Sequence, residues 1–275
     1  MNSSNFIPSY QIRAQFTAAM SAMYQDEVPQ YGQLLTLVKS VNEKALGNDL
    51  ETLSEEERNL LITEHHGAIR VGTAQELSTL RRLFKVMGMH AVDYYDLSVA
   101  GIPVHSTAFR SINPKELLIS PFRVFTSLLR LDLITDENLR ESAKKTLSQR
   151  NFFSDELIEL IEIAENQGGL DSNQAQKFVY EALEIFRWHQ QANVDKCEYE
   201  QLKAAHGLIA DVVSFKGPHI NHLTPKVLDI DALQAQFVEQ GAVSYTHLTL
   251  PTTGIRCCGG GGGGGWGGGG GGGGG

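Results

Sequence analysis

No run of about 18 apolar residues occurs anywhere in the chain, which excludes a membrane-spanning helix. Met1 to Tyr10 has neither a cationic start nor an apolar stretch, so no secretory signal is read there. Cysteine is nearly missing. Of the three present, Cys257 and Cys258 fall in an anomalous tail, which leaves Cys197. One cysteine closes no intramolecular disulfide, and a reducing cytoplasm is the expected location. Basic residues are also short: Arg256 is the single charge beyond Val243, so residues 1–242 hold 22 basic against 32 acidic side chains. No basic stripe interleaved with aromatics occurs, and nucleic acid is not an expected partner.

From Val243 the chain runs Val-Ser-Tyr-Thr-His-Leu-Thr-Leu-Pro-Thr and then into almost unbroken glycine. This resembles a translated sequencing adapter followed by signal-free base calls, and 17 of the 28 glycines lie in it. With so little apolar content, residues 243–275 are expected to be disordered. Residues 1–242 suffice for one large or two small domains with a sizeable core.

Apolar residues at three- and four-residue spacings, Ile12, Phe16, Met20 and Met23, then Tyr31, Leu34, Leu35 and Val38, predict two amphipathic helices broken near Pro29. Helical character continues over 42–62, restarted at Thr52-Leu53-Ser54 ahead of three glutamates. The texture changes at His65. Ala68 to Val71 reads as a strand, Gly72-Thr73 as a turn with a cap, and Ala74 to Met87 as a helix stopped by Gly88. His90 to Val99, Ile102 to Arg110 and Phe122 to Leu129 read as further strands. Thr135 to Ala205 is helical, with starts at Asp136 and Ser154 and a stop near Gly168. Leu208 to Phe215 reads as a strand, and Ile230 to Gln240 as a helix opened by Asp231. The expectation is an α+β chain. It comprises an N-terminal helical region (1–62), a strand-helix-strands module on an antiparallel sheet (63–134), a helical insertion (135–206), the start of a second module (207–242) and the tail (243–275).

Two distant segments carry the chemistry, His66-Gly-Ala-Ile-Arg70 and Gly217-Pro-His-Ile-Asn-His222. Strand side chains alternate faces, so His66, Ala68 and Arg70 share one surface and His65 with Ile69 the other. An imidazole beside a fixed guanidinium suits an anionic substrate that chelates a metal at one end and gives a carboxylate to the arginine at the other. Small Ala68 leaves room between them. An extended chain through Pro218 would set Pro218, Ile220 and His222 on one face, at a sheet edge or strand end. From pattern alone His66 has two readings, a metal ligand or an ordinary half-buried histidine, and neither segment is specific by itself. His65 reads as a neighbour of the site, and His90 and His105 as strand-end residues. Arg110, Arg123 and Arg130 are either pocket-lining or solvated. Cys197 reads as inert, and Glu56 with Glu57 and Glu162 with Glu165 as solvated helix faces.

At these residues the chain resembles the 2-oxoadipate dioxygenase/decarboxylase (2-hydroxyglutarate synthase) family, an offshoot of the vicinal oxygen chelate superfamily. The resemblance extends through Met87-Gly-Met-His-Ala-Val-Asp-Tyr-Tyr-Asp-Leu97, Gly101-Ile-Pro-Val-His-Ser-Thr-Ala-Phe-Arg110, Pro121-Phe-Arg-Val-Phe-Thr-Ser-Leu-Leu-Arg130 and Phe215-Lys-Gly-Pro-His-Ile-Asn-His-Leu-Thr-Pro225. It implies sheet modules of the vicinal oxygen chelate kind, the second of them incomplete here. It also implies a non-haem Fe(II) held by His66, His222 and a glutamate that this chain lacks, with Arg70 binding a substrate carboxylate. The implied reaction takes 2-oxoadipate and O2 to 2-hydroxyglutarate and CO2, in lysine breakdown, and the chain as it stands is expected to have little activity. Two other functions fit the same residues: a metal-dependent isomerase or lyase that uses no oxygen, and a protein that binds oxo acids without turnover.

Overall fold

The computed structural model describes residues 6–239. The elements, in chain order, are helices α1 (Ser9–Glu27), α2 (Pro29–Leu46) and α3 (Glu55–Ile62), strand β1 (Glu64–Val71), α4 (Ala74–Val86), strands β2 (His90–Asp96) and β3 (Val104–Arg110), α5 (Pro114–Ile119) and β4 (Arg123–Leu129). There follow α6 (Glu137–Gln149), α7 (Asp155–Gln167), α8 (Ser172–Phe186), α9 (Lys196–Ala205), α10 (Gly207–Ser214), β5 (His222–Pro225) and α11 (Ile230–Glu239). Two compact units are distinguished, Met1–Ile230 and Asp231–Gly275; the described part of the second is helical, ending with α11. No described helix is long and apolar enough to cross a membrane. The tail expected to be disordered lies outside the described residues.

Local chemistry explains most boundaries. The break before Pro29 is there because proline fits the first helical position and has no N–H to lose. Ser54 and Glu57 exchange side-chain and backbone hydrogen bonds at the start of α3, and Thr73 with Glu76 forms the same reciprocal cap on α4. Asp136 and Ser154 accept from backbone N–H groups that open α6 and α7. Gly88 and Gly168 end helices at φ of 67° and 87°, a conformation that costs glycine little.

The sheet has five strands in the order β2-β3-β4-β1-β5. It is antiparallel except between β1 and β4, which run parallel. The expectation of an antiparallel sheet is corrected there. After the first strand and its crossover helix, the chain makes two antiparallel turns and lays β4 beside β1 in the same direction. The segment Leu208 to Phe215, read as a strand, is helix α10. A short apolar run is ambiguous between the two states. Here His206 caps it through Nδ1, which accepts the Leu208 N–H at 3.0 Å, and Ile209, Ala210, Val212 and Val213 are buried with Leu147, Leu202 and Val104. The strand of this region is instead β5, which starts only at His222, so the extended path through Pro218 is not formed.

One sheet face is buried. Ile69, Val71, Val124 and Phe109 lie on it and are each at most 1% exposed. Phe84 of α4 meets Phe109 at 4.7 Å between centroids, and Phe16 of α1 meets Phe186 of α8 at 5.2 Å, edge on. Arg13 is wholly enclosed and donates to the carbonyls of Met87, Ser120 and Glu116 at 2.7, 3.2 and 3.3 Å, tying α1 to the ends of α4 and α5.

Candidate functional site

The opposite sheet face is polar and only part covered. Residues that face each other across adjacent strands project to the same side. Ala68 pairs with His222 and His66 with Thr224, so His66, Ala68, Arg70, His222 and Thr224 share this face. Parallel pairing adds Arg123, Phe125 and Ser127, which stand beside His66, Ala68 and Arg70. Ser106, Ala108 and Arg110 follow from β3, and Val92 and Tyr95 from β2. Val92 and Tyr95 reach the same side because the strand bulges between them, with Asp93 at φ 61°. The Tyr95 and Phe125 rings then lie 5.5 Å apart.

His66 and His222 are diagonal neighbours on adjacent strands, a relation that places Cα atoms about 7–8 Å apart. Imidazoles at that spacing can converge on one ion. Burial pushes His222 below the usual histidine range, which keeps the ring in the neutral, ligating form. His66 is the more exposed of the two. The intervening Gly67 faces the buried side, where a Cβ would stand 2.9 Å from Ile220 Cδ1 and 3.2 Å from Phe122 Cζ. Its lack of a side chain is what lets Ile220 seat under β1 and carry His222 into register.

Arg70 lies two residues along β1 from Ala68. Its Nη1 donates to Asp211 Oδ2 of α10 at 2.8 Å, with both side chains half-buried. Asp211 Oδ1 is 3.5 Å from His219 Nε2. The His219 ring packs edge-on against Trp188, 4.5 Å between centroids, and burial lowers its proton affinity against the opposing pull of Asp211. Sequence reading missed Asp211 because it was assigned to a strand. The available signal was a lone charge inside Leu-Ile-Ala-Asp-Val-Val.

Of the other expected residues, Arg110 and Arg123 lie on this face, and His90, exposed on the edge strand β2, pairs with Arg110 and shares it. His105 is on the far face, between Tyr94 Oη at 2.9 Å and Arg130 Nη1 at 2.6 Å, and Arg130 is paired with Asp132. Glu165 is exposed on its helix face, as read, and there binds Arg82 of α4 at 2.7 Å. Cys197 is exposed. The side chains of His65 and Glu56 lie outside the described residues.

Among the described residues no group of three or more His, Cys, Asp or Glu could hold a metal ion. Residues 240–275 contain neither Asp nor Glu. The histidine pair therefore fits two positions of a two-histidine-one-carboxylate site, and the described residues do not complete the third.

The family model for 2-oxoadipate dioxygenase/decarboxylase matches residues 16–257, a span that runs past Val243. The curated 2-oxoadipate dioxygenase/decarboxylase of Pseudomonas putida is 55% identical over 247 residues, covering 88% of this chain and 53% of that protein. The crystal structure of the hydroxyglutarate synthase in complex with 2-oxoadipate from the same organism is 55% identical, with a TM-score of 0.82 over 87% of this chain and 54% of that one. A glyoxalase superfamily structure from Ralstonia eutropha, 14% identical with a TM-score of 0.54, covers 74% of this chain and 67% of that one and shares the fold. This bears out the α+β architecture. The chain spans about half the length of the curated relatives it matches.

Proposed function

Because the chain belongs to the 2-oxoadipate dioxygenase/decarboxylase family, we propose that it carries the histidine pair and the carboxylate anchor of an enzyme converting 2-oxoadipate and O2 to 2-hydroxyglutarate and CO2. The observation that carries this reading is the register Ala68 to His222, which puts His66, His222 and Arg70 on one open sheet face. Fe(II) held by two imidazoles and one carboxylate keeps adjacent positions open for a 2-oxo acid and for dioxygen.

The residues of the chain have separable tasks. His66 and His222 supply two neutral nitrogen donors, His222 being kept neutral by its burial. Arg70 grips the distal carboxylate of the substrate through a planar, permanently charged fork. Ala68 keeps the space between them clear. Phe125 and Tyr95 give an apolar wall to the methylene chain, and the third ligand, a glutamate, is not supplied by residues 1–275. The resulting enzyme works in lysine breakdown in the cytoplasm.

The test is oxygen uptake with Fe(II) and 2-oxoadipate, with 2-hydroxyglutarate measured as product. It is run on this chain and on the chain continued by the C-terminal half of a 55% identical relative. The continued protein should consume oxygen and form product, and the chain alone should do neither. Product formed without oxygen uptake would instead favour an isomerase or lyase. Tight binding of 2-oxoadipate with no turnover in the continued, iron-loaded protein would favour a binding protein.

A further inference from the structure

Arg70, the anchor in the reading above, is not free to aim by itself. Among the described residues its side chain has one hydrogen-bonding partner, Asp211, met by Nη1 at 2.8 Å. The Nε and Nη2 hydrogens remain for another acceptor. Asp211 comes from the middle of the eight-residue helix α10, where it is the one charged residue, flanked by the buried Ile209, Ala210, Val212 and Val213. Its second oxygen faces His219, 3.5 Å away, and His219 packs edge-on against Trp188 at 4.5 Å and Phe215 at 6.1 Å, two rings that themselves meet at 5.0 Å. Arg70 is thus attached through Asp211 to a helix that cannot shift without disturbing an apolar cluster, and to an imidazole held by two rings.

We infer that Asp211 is a positioning residue for recognition of the distal carboxylate. It takes one edge hydrogen of the Arg70 guanidinium and so leaves the Nε and Nη2 hydrogens presented as a fixed pair to a dicarboxylic 2-oxo acid. The physical reason is preorganisation. A guanidinium on a flexible stem loses rotamer freedom when it grips an anion, and a bond already made to a rigid helix removes part of that loss before binding. A bidentate grip on carboxylate needs two parallel N–H groups, and occupation of a third N–H by Asp211 does not consume them. A purely structural ion pair, by contrast, would matter for attachment of α10 and be indifferent to which acid is bound.

The inference rests on Arg70 as the carboxylate anchor, so the experiment has one arm that needs no ligand. In the 15N-labelled chain, the Arg70 guanidinium signals, assigned by their loss in Arg70→Lys, should show restricted rotation in the parent. They should average in Asp211→Ala and stay restricted in Asp211→Asn, whose amide oxygen still accepts the bond. In the second arm, calorimetry under nitrogen with Fe(II), on the chain continued by the C-terminal half of a 55% identical relative, compares 2-oxoadipate with 2-oxohexanoate, which lacks the distal carboxylate. Asp211→Ala should weaken 2-oxoadipate by about tenfold, roughly one charge-assisted hydrogen bond, and leave 2-oxohexanoate within about twofold. It should add nothing in an Arg70→Ala background. Equal weakening of both acids, or unchanged Arg70 signals in Asp211→Ala, would overturn the inference. If the continued, iron-loaded protein binds 2-oxoadipate no better than 2-oxohexanoate while Asp211→Ala still frees the guanidinium, the ordering of Arg70 by Asp211 stands and the anchor reading falls.

Discussion

Ala68 of β1 and His222 of β5 are partners across an antiparallel pair, and that register alone sets His222 on the face that carries His66 and Arg70. A shift of one residue would turn His222 into the core and bring Leu223 out. The histidine pair is therefore a property of sheet register as much as of residue type.

In the continued protein, replacing His66 or His222 with alanine should each weaken Fe(II) binding on the order of 100-fold, about 2.7 kcal/mol, since each removes one of three protein donors. Arg70→Ala should leave iron affinity within a factor of about two and weaken 2-oxoadipate by more than about tenfold, the loss of a bidentate charge pair. Anaerobic titration of metal and of acid separates the two effects, and equal loss of both by Arg70→Ala would make the arginine structural.

Ala68 lies between His66 and Arg70 along β1 and opposite His222, on a partly covered face. Ala68→Leu should fill the space needed by the acid, abolishing 2-oxoadipate binding while shifting the melting temperature by no more than about 3 °C, as expected of a substitution that buries no new polar group. Retained binding of 2-oxoadipate by the leucine variant would show that the acid lies elsewhere.

Gly67→Ala places a Cβ against Ile220 Cδ1 at 2.9 Å and Phe122 Cζ at 3.2 Å. Overpacking of this kind costs about 1–3 kcal/mol in denaturant unfolding. Adding Ile220→Val, which deletes that Cδ1 atom, should recover part of the loss, so the double variant should be more stable than the sum of the single effects.

Arg150 and Glu76 form a buried pair at 2.8 Å, with side chains 2% and 7% exposed, and Arg150 also donates to the carbonyls of Val212 and Phe215. It joins α6 to the cap of α4 and to the end of α10. Arg150→Ala should cost about 3–5 kcal/mol by denaturant unfolding, because it strands a buried carboxylate. Glu76→Gln should cost less.

The hydrogen bond from Arg82 holds Glu165 below the usual carboxylate range. A carboxyl with a depressed folded value contributes stability that is whole above its unfolded value, about 4.3, and is lost as the pH falls through the folded one. The melting-temperature gap between the parent and Arg82→Met should therefore be widest near neutrality and close below about pH 4. A gap constant to pH 3 would show that packing, not the ion pair, separates the two.

Much of this was legible in the chain because its signals are local. Pro29, the Thr73 and Asp136 caps and the glycines at 88 and 168 set helix ends within their own turn. Alternation along β1 placed His66, Ala68 and Arg70 together without knowledge of any partner strand. What stayed hidden depends on distant contacts. The parallel joining of β1 to β4 follows from how strands are connected. Helix α10 owes its state to packing on α9 and α6, which outweighs the strand propensity of Ile209, Val212 and Val213. Asp211 was lost with that assignment, since only in the helix does it meet Arg70.

The two strands that carry the histidines also set an order of events in folding. Arg70 and Asp211 are 141 residues apart in the chain, and β5 can dock on β1 only after α6 to α10 have brought it back. Closing a loop of that length is a penalty that grows as the logarithm of the loop, and no local contact repays it early. The histidine pair thus rests on the most sequence-distant strand pairing of the sheet, β1 with β5. A metal that holds β5 against β1 would lock the whole insertion shut, and weakened packing anywhere in α6 to α10 would be felt as faster metal release.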